Sequence, residues 1–257
     1  MGEILTDTLA PGIARLTLSQ PARRNAVTAA MWADLPGRLD ALAGDASLRV
    51  LVVTGAGDHF AAGADISEFK TLYATPESSA RISASIQSAF DALAAFPLPT
   101  VAMIRGACVG GGAGLALCCD IRMADGTARF AITPAKLGLV YPFADIARLI
   151  DAVGVAHARD ILLSARLIDA EAALEMGFVH RVTEPEALEA AVLDYARTIA
   201  ALSPESLRVT KSMIGAYVAG QRGDTAETRA QFLAGFSSRD FGEGFRAFLD
   251  KRKPDFS

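Results

Sequence analysis

The sequence is poor in the residues that build disulfides and metal sites. It has three cysteines, Cys108, Cys118 and Cys119, and three histidines among its 257 residues. The cysteines form no CxxC pair, an odd number of them cannot all pair within one chain, and the histidines are scattered. The sequence therefore predicts neither a disulfide framework nor a zinc site, and no metal ligands are assigned.

Long apolar runs are also missing, although hydrophobic residues make up 51% of the chain. No run approaches the length that a bilayer requires, and residues 1–10 carry acids and threonines rather than the basic and apolar segments of a secretory signal. We therefore expect a cytoplasmic protein that does not engage a membrane. Its length favours one large core with an appendage over two independent domains.

An excess of basic residues is absent as well. The formal net charge is −4, which argues against broad nucleic-acid binding, so nucleic acid is not an expected partner. Two local basic clusters remain, at Arg23–Arg24 and at residues 251–253. They have two interpretations, which are solvated surface charge, the commoner case, and contact with an anionic ligand.

Common nucleotide-binding and hydrolytic motifs are missing too. There is no GxxxxGK[ST], no strand followed by a complete GxGxxG, no GxSxG and no HExxH. The run Gly110-Gly111-Gly112, which lies between a strand pattern and a helix pattern, therefore needs another explanation. It either lets a ligand reach backbone amides at a helix N-terminus or allows tight packing of strand against helix. A second loop, 60–66, consists mostly of small residues that leave its N–H groups accessible.

Strand and helix patterns alternate through the first part of the chain. The predicted strands are 13–19, 49–54, 100–104 and a shorter extended piece at 179–183. The predicted helices are 28–43 and 110–119. This alternation is typical of the α/β class.

After residue 184 the pattern changes to helices without intervening strands. The predicted helices are 187–202, 204–219, 225–236 and 242–253. We therefore divide the chain into a core, residues 1–190, and a helical C-terminal region, residues 191–257. No low-complexity linker separates the two, so the helical region is expected to pack on its own protomer or on a neighbour.

Together these segments resemble the enoyl-CoA hydratase/isomerase (crotonase) superfamily over nearly the whole chain. The segments that carry the resemblance are 20–26, 61–66, 106–120, 130–138, 165–179 and 243–256. The resemblance implies an α/β fold, a crotonase-like spiral of ββα units with a helical C-terminal trimerisation region. It also implies a homotrimer, often stacked into a hexamer, and an acyl-CoA substrate, with coenzyme A as part of the substrate and no separate cofactor.

The resemblance assigns the functional residues as well. The thioester carbonyl oxygen would accept hydrogen bonds from the backbone amides of Ala64 and Gly111, the catalytic pair. Two fixed amides, one at a helix N-terminus, suit the enolate that forms when a bond at the thioester α-carbon breaks. The substrate-binding residues would be Arg24 near the CoA phosphates, Ala26 in the same loop, and three residues along the adenine and pantetheine path, namely Ala62, Asp65 and Ile66.

The chain departs from the family at each familiar carboxylate position. Family hydratases hold and activate water with two glutamates, and the corresponding positions are Gly114 and Ala135. Isomerases and a related dehalogenase carry a carboxylate at the position of Pro142. Hydration needs a positioned acid and base, each worth on the order of a hundredfold or more, so ordinary hydration is not expected.

Tyr141 is the remaining polar candidate and the third predicted catalytic residue. Thr133-Pro134 and Tyr141 resemble the methylmalonyl-CoA decarboxylase branch, although that branch has a histidine where this chain has Ala64. Decarboxylation suits a site without a base, because departing CO₂ leaves its electron pair in the enolate. Tyr141 would then orient the substrate carboxylate. Alternatively it is a pocket-wall tyrosine whose hydroxyl bonds to backbone.

The sequence leaves other readings open. Asp145, one helical turn beyond Tyr141, would either act as an unusual acid or base or complement the dipole of a helix that begins near Pro142. Residual hydratase or isomerase activity would use Asp145, Asp65 or Glu68. A catalytically weak acyl-CoA-binding protein is the non-enzyme alternative. The leading expectation is a lyase or isomerase that acts on an acyl-CoA.

Overall fold

A computed structural model of the chain describes residues 2–256. Its strands are β1 Glu3–Ala10, β2 Ile13–Ser19, β3 Val50–Gly55, β4 Thr100–Ile104, β5 Ala107–Val109, β6 Ile121–Asp125, β7 Arg129–Ala131, β8 Ile168–Asp169 and β9 Arg181–Thr183. Its helices are α1 Ala29–Ala43, α2 Phe69–Leu72, α3 Pro76–Ala94, α4 Gly111–Cys118, α5 Phe143–Ser164, α6 Ala170–Glu175, α7 Leu188–Ala200, α8 Pro204–Val218, α9 Ala226–Gly235 and α10 Arg239–Leu249. The α/β class is confirmed.

The main sheet has six strands in the order β1-β2-β3-β4-β6-β9. β1 is antiparallel to β2, and every later neighbour is parallel. β4 is buried along its whole length and β3 along nearly all of it, as expected for parallel strands covered on both faces. These continuous apolar runs explain why the sequence predicted both strands to within one residue. Edge strand β1, which is mostly exposed, was not predicted.

A second, small sheet joins β5, β7 and β8 and lies beside the start of α4. The largest hydrophobic cluster lies on the face of the main sheet covered by α1, α3 and α4. A smaller cluster lies on the opposite face, where Leu188, Val192 and Ala196 of α7 pack on strand residues such as Val52 and Val101. The two clusters hold the strand ends, and so the loops that follow them, in fixed positions.

Two long helices near the loops were not predicted from the sequence. α3 begins with a capping box between Thr75 and Ser78, but only four of its residues are buried, so its apolar pattern is sparse. α5 begins after Pro142 and is interrupted at Gly154, where φ is 73° and ψ is 165°. α3 packs against α1 and α4, and α5 packs against α4. Both helices therefore form walls around α4.

The C-terminal helices carry many exposed apolar side chains, and the trimerisation role expected for them remains a prediction. α8 is tied to the core by Lys211, whose Nζ lies 2.9 Å from the Leu98 carbonyl oxygen and 2.6 Å from Asp120 Oδ2. Among residues 2–256, no helix is long and apolar enough to cross a bilayer. The same residues contain no group of three or more histidine, cysteine or acidic side chains placed to hold a metal ion.

Candidate active site

The two loops singled out in the sequence lie side by side. A parallel bridge joins Ala61 to Cys108, with Ala61 N donating to the Ala107 carbonyl at 2.9 Å and Val109 N donating to the Ala61 carbonyl at 2.9 Å. A second bridge joins Val27 to Ala64. The backbone of loop 60–66 is therefore fixed on both sides immediately before α4 begins.

The backbone N–H groups of Ala64 and Gly111, called here the amide pair, have no partner within residues 2–256. The bridge to Val27 uses the carbonyl of Gly63 and the amide of Asp65, at 2.7 and 3.0 Å, so the Ala64 N–H points the other way. Gly111 is the first residue of α4, where an amide has no intrahelical acceptor. A Cβ built on Gly111 would lie 3.6 Å from the Ala64 nitrogen. The two amides are therefore neighbours at a helix N-terminus, an arrangement that favours negative charge.

The glycine run serves both purposes that the sequence left open. A Cβ on Gly112 would collide with the Ala61 carbonyl oxygen, so Gly112 is required for close packing of the loops. Gly110 and Gly63 adopt φ values of 53° and 98°, which favour glycine and turn the backbone toward the amide pair. Because Gly111 has no side chain, its N–H remains accessible.

The position of the first hydratase glutamate is filled by an aromatic ring. A Cβ on Gly114 would lie 2.6 Å from Phe90 Cζ and 3.2 Å from its two Cε atoms. Phe90 is buried and makes an edge contact with Trp32, with ring centroids 5.4 Å apart. The second glutamate position, Ala135, is exposed in a short 3₁₀ turn. Sequence reasoning missed Phe90 and Trp32, because nothing local indicates their contact with α4.

The Asp65 carboxylate stabilises loop 60–66 through hydrogen bonds. Its carboxylate accepts hydrogen bonds from Arg23 Nη1 at 2.8 Å, Gln20 Nε2 at 3.1 Å, and Ser67 N and Oγ at 3.0 and 2.7 Å. Burial raises the pKa of Asp65, but these hydrogen bonds outweigh it, and the pKa is lowered overall. Glu68 Oε2 accepts from the Ala29 amide at the start of α1, 2.8 Å away. Two of the three carboxylates that were alternatives for a base, Asp65 and Glu68, therefore have structural partners.

The remaining predicted substrate-binding residues surround the same loop. Arg24 is exposed, and its carbonyl accepts from the Ala62 amide at 2.9 Å, so the two loops are joined there. Ile66 is 67% exposed, Ala62 is half-buried and Ala26 is buried. The structure therefore brings Arg24, Ala62 and Ile66 to the surface next to Ala64, whereas Ala26 supports the loop from within.

Tyr141 and Asp145 lie in the wall formed by the start of α5. The Tyr141 hydroxyl is buried and has no hydrogen-bond partner in residues 2–256, so the alternative of a hydroxyl bonded to backbone is wrong. Burial and the nearby Asp145 carboxylate raise the pKa of Tyr141 well above its usual range. The phenol therefore keeps its proton and remains a donor.

Asp145 is only 3% exposed, and its Oδ1 accepts from Arg148 Nη1 at 2.7 Å. Burial raises the pKa of Asp145, while Arg148 opposes the increase. Arg148 also reaches Asp91 Oδ1 of α3 at 2.5 Å, and its guanidinium lies 5.9 Å from the centroid of the Phe90 ring. Arg148 thus connects Asp145 to the ring that covers Gly114. We call Phe90, Tyr141, Asp145 and Arg148 the side-chain wall.

The cavities show how closely the site is packed. A cavity of about 10 Å³ adjoins Ala64 and is lined by Trp32, Phe69, Tyr73 and Ile82, among others. This volume scarcely admits one water molecule. A larger cavity, of about 560 Å³, lies elsewhere, beside Arg105 and Asp125. His59 in its lining accepts a hydrogen bond from the Ala107 amide through Nδ1, so it supports the loop.

Known proteins resemble this chain along nearly its whole length. The family described as Enoyl-CoA hydratase/isomerase matches residues 8–257. A Thermus thermophilus protein provisionally named an enoyl-CoA hydratase is 38% identical over 249 residues, which cover 95% of this chain and 97% of that protein. The 2,3-dehydroadipyl-CoA hydratase of Escherichia coli is 35% identical over 243 residues, 94% of this chain and 93% of that protein.

Solved structures agree with the sequence relatives. A Hyphomonas neptunium protein provisionally placed in the enoyl-CoA hydratase/isomerase family superposes with a TM-score of 0.95 at 42% identity, covering 99% of this chain and 97% of that one. An enoyl-CoA hydratase/carnithine racemase from Magnetospirillum magneticum gives 0.93 at 36% identity, covering 96% and 93%. The chain therefore has the crotonase fold and belongs to the enoyl-CoA hydratase/isomerase family of enzymes that act on acyl-CoA.

Proposed function

We propose that this enzyme decarboxylates a malonyl-type CoA thioester, such as methylmalonyl-CoA, through an enolate held by the amide pair. The observation that carries the proposal is the Phe90 ring against Gly114, since it fills the place of a hydratase glutamate with an apolar group. The relatives named hydratases are similar to this chain in fold and sequence. The proposal is that this chain differs from them in reaction.

Hydration is disfavoured by what surrounds the amide pair. Water must be held and activated by a base and an acid, but Gly114 and Ala135 carry no carboxylate, and Asp65 and Glu68 have structural partners. The proposed reaction needs no such base. The bond between the α-carbon and the carboxylate carbon breaks, CO₂ leaves, and the electron pair enters the thioester enolate, whose oxygen accepts from the amides of Ala64 and Gly111.

Tyr141 supplies the polar contact that the proposed substrate needs. Its buried hydroxyl has no partner within residues 2–256, and a buried unpaired donor indicates a missing acceptor. We assign the substrate carboxylate to that role.

The CoA end of the substrate is assigned to the exposed side of loop 20–26. Arg24 is solvent-exposed next to Ala62 and Ile66, where its charge is available to a phosphate. Affinity for coenzyme A should therefore fall as salt screens the charge pair. Calorimetry with coenzyme A and acetyl-CoA at millimolar concentration, with no heat from either, would contradict this assignment.

We also propose that the protein forms a homotrimer or a hexamer. Large aromatic side chains are exposed along α9 and α10, and the most exposed are Phe232, Phe236, Phe245 and Phe248 at 61, 58, 55 and 81%. Apolar surface of this kind is usually covered by another subunit. Light scattering at micromolar protein tests this, and a monomeric mass would contradict it.

The decisive experiment is mass spectrometry of a CoA-ester panel incubated with the purified protein. The panel comprises methylmalonyl-, ethylmalonyl-, crotonyl- and 3-enoyl-CoA. Decarboxylation predicts loss of CO₂ from one of the first two thioesters and very slow hydration of crotonyl-CoA. Rapid gain of water by crotonyl-CoA would show a hydratase, a double-bond shift in the 3-enoyl-CoA would show an isomerase, and binding without turnover would show an acyl-CoA-binding protein.

A further inference from the structure

The strongly buried aspartates of residues 2–256 differ in how their two oxygens are paired. Both oxygens of Asp65 accept hydrogen bonds. Asp125 uses Oδ1 for Thr127, and its Oδ2 has an ion pair with Arg105, whose Nε lies 3.6 Å away and makes no hydrogen bond. Asp145 uses Oδ1 for Arg148, while its Oδ2 accepts no hydrogen bond from the described residues. Asp145 therefore keeps one oxygen available.

Arg148 fixes the direction of the Asp145 carboxylate. The guanidinium reaches both Asp145 and Asp91, so it joins α5 to α3, and its side chain is only 20% exposed. It also lies over Phe90, the ring that contacts α4 at Gly114. This chain of contacts links the Asp145 carboxylate, through Arg148 and Phe90, to Gly114 of α4, and Asp145 lies about one helical turn beyond Tyr141.

We infer that Asp145 is the catalytic residue that transfers a proton at the substrate α-carbon, with Arg148 as its positioning residue. The inference deepens the proposed function and rests on it for the substrate. After CO₂ has left, the enolate α-carbon takes the proton from the Asp145 carboxyl group, and the electron pair of the enolate forms the new C–H bond. Asp145 becomes a carboxylate paired with Arg148, and solvent returns the proton.

The charges around Asp145 suit this cycle. Burial favours the protonated form, and Arg148 favours the carboxylate. The other titratable groups close by are Asp91 on α3, Cys118 on α4 and Tyr141. A substrate carboxylate near Tyr141 adds a like charge, which further favours protonated Asp145 before the carbon–carbon bond breaks. Once CO₂ has left, that like charge is gone, and the ion pair with Arg148 stabilises the carboxylate.

The test is exchange of the α-protons of butyryl-CoA in D₂O, followed by mass spectrometry. Butyryl-CoA has no CO₂ to lose, so exchange reports proton transfer alone. The native enzyme is expected to introduce deuterium, with a rate that rises with pH as Asp145 loses its proton. Asp145→Asn should lower the rate by about 100-fold or more. Asp151→Asn, on an exposed site of the same helix, should leave it unchanged.

Arg148→Gln tests the positioning role and remains informative if Asp145→Asn fails to fold. Loss of the guanidinium should shift the pH profile of exchange to higher pH, because Arg148 opposes the raised pKa of Asp145. A merely structural arginine would lower the rate without moving the profile. An unshifted profile, or full exchange by a folded Asp145→Asn protein, would overturn the inference.

The outcomes also separate this inference from the proposed function. CO₂ release from methylmalonyl-CoA without butyryl-CoA exchange by the native enzyme would overturn the role of Asp145 and leave the decarboxylase. Exchange that depends on Asp145, with no CO₂ released from any malonyl-type thioester, would support Asp145 and reject the decarboxylase.

Discussion

The amide pair and the side-chain wall border the same helix, α4, but are built from different parts of the chain. The amide pair uses main-chain atoms, and bridges to Val27 and Cys108 fix their direction. The wall uses side chains from α3 and α5, and its order depends on contacts among Phe90, Arg148 and two aspartates. The amide pair depends on glycines where backbone approaches backbone, whereas the wall depends on the side chains themselves. On the proposed function, the amide pair would set the class of chemistry and the wall would set the reaction.

Gly111→Pro breaks the amide pair most directly. Proline is well tolerated at the first position of a helix, so the change removes the N–H donor while the helix is retained, although its ring atoms lie near Trp32. We expect turnover to fall by about 100- to 1,000-fold, as for other oxyanion donors, with CoA affinity nearly unchanged. Gly111→Ala is the matched control, since it adds a Cβ near Trp32 but keeps the N–H. Equal losses in the two variants would mean that crowding, not the donor, explains the effect.

Gly114→Glu tests whether the wall excludes a hydratase carboxylate. The Phe90 ring occupies the space, so we expect a loss of about 1–3 kcal/mol in the free energy of unfolding. Phe90→Ala alone should cost about 3–5 kcal/mol through a cavity. Because the two residues touch, the double variant should lose less than the sum, and denaturant unfolding measures this coupling.

Substitutions at Gly114 and Phe90 also test which reaction the enzyme catalyses. Hydration of crotonyl-CoA should appear only when Phe90→Ala accompanies Gly114→Glu and Ala135→Glu. Hydration by the protein that retains Phe90 would show that the ring does not decide the reaction.

Tyr141→Phe tests whether the wall acts on CO₂ loss independently of CoA binding. Removing the hydroxyl should slow CO₂ loss by about tenfold, the value of one hydrogen bond to a charged group, and leave CoA binding intact. Tyr217→Phe, on the exposed surface of α8, is the control. An unchanged rate for Tyr141→Phe would mean that Tyr141 has only a packing role.

Of these substitutions, Asp65→Asn is expected to have the smallest effect, and it acts on the loop that supports the amide pair. The folded-state pKa of Asp65 is lowered, so its stabilising effect is complete above the unfolded pKa of about 3.9 and is lost as pH falls through the lower folded value. The native protein should therefore lose stability below about pH 4 more steeply than Asp65→Asn, which should cost about 1 kcal/mol at neutral pH. Thermal unfolding across pH measures this. Asp34→Asn, which removes an exposed carboxylate paired with Arg38, is the matched control variant.

The difference between the backbone amide pair and the side-chain wall also explains which features could be predicted from the sequence. The strands that lead to the amide pair are buried apolar runs, and glycines mark the places where backbone must approach backbone, so both could be predicted. Phe90 could not, because its contact with Gly114 joins residues far apart in the chain. α3 was missed because most of its surface is exposed and serine-rich. Asp145 stayed ambiguous, since no local pattern distinguishes a buried carboxylate from one in the first turn of a solvated helix.

The link between α8 and the core has a consequence for dissecting the chain. Asp120 Oδ2 accepts from the amide and hydroxyl of Thr100, at 2.7 and 2.9 Å, and from Lys211, so three segments share one oxygen. A fragment that ends at residue 190 would leave this carboxylate without its cation and would expose the sheet face that α7 covers. A fragment meant to keep these contacts should therefore extend at least through residue 211, and swaps of C-terminal helices between relatives should begin beyond that lysine.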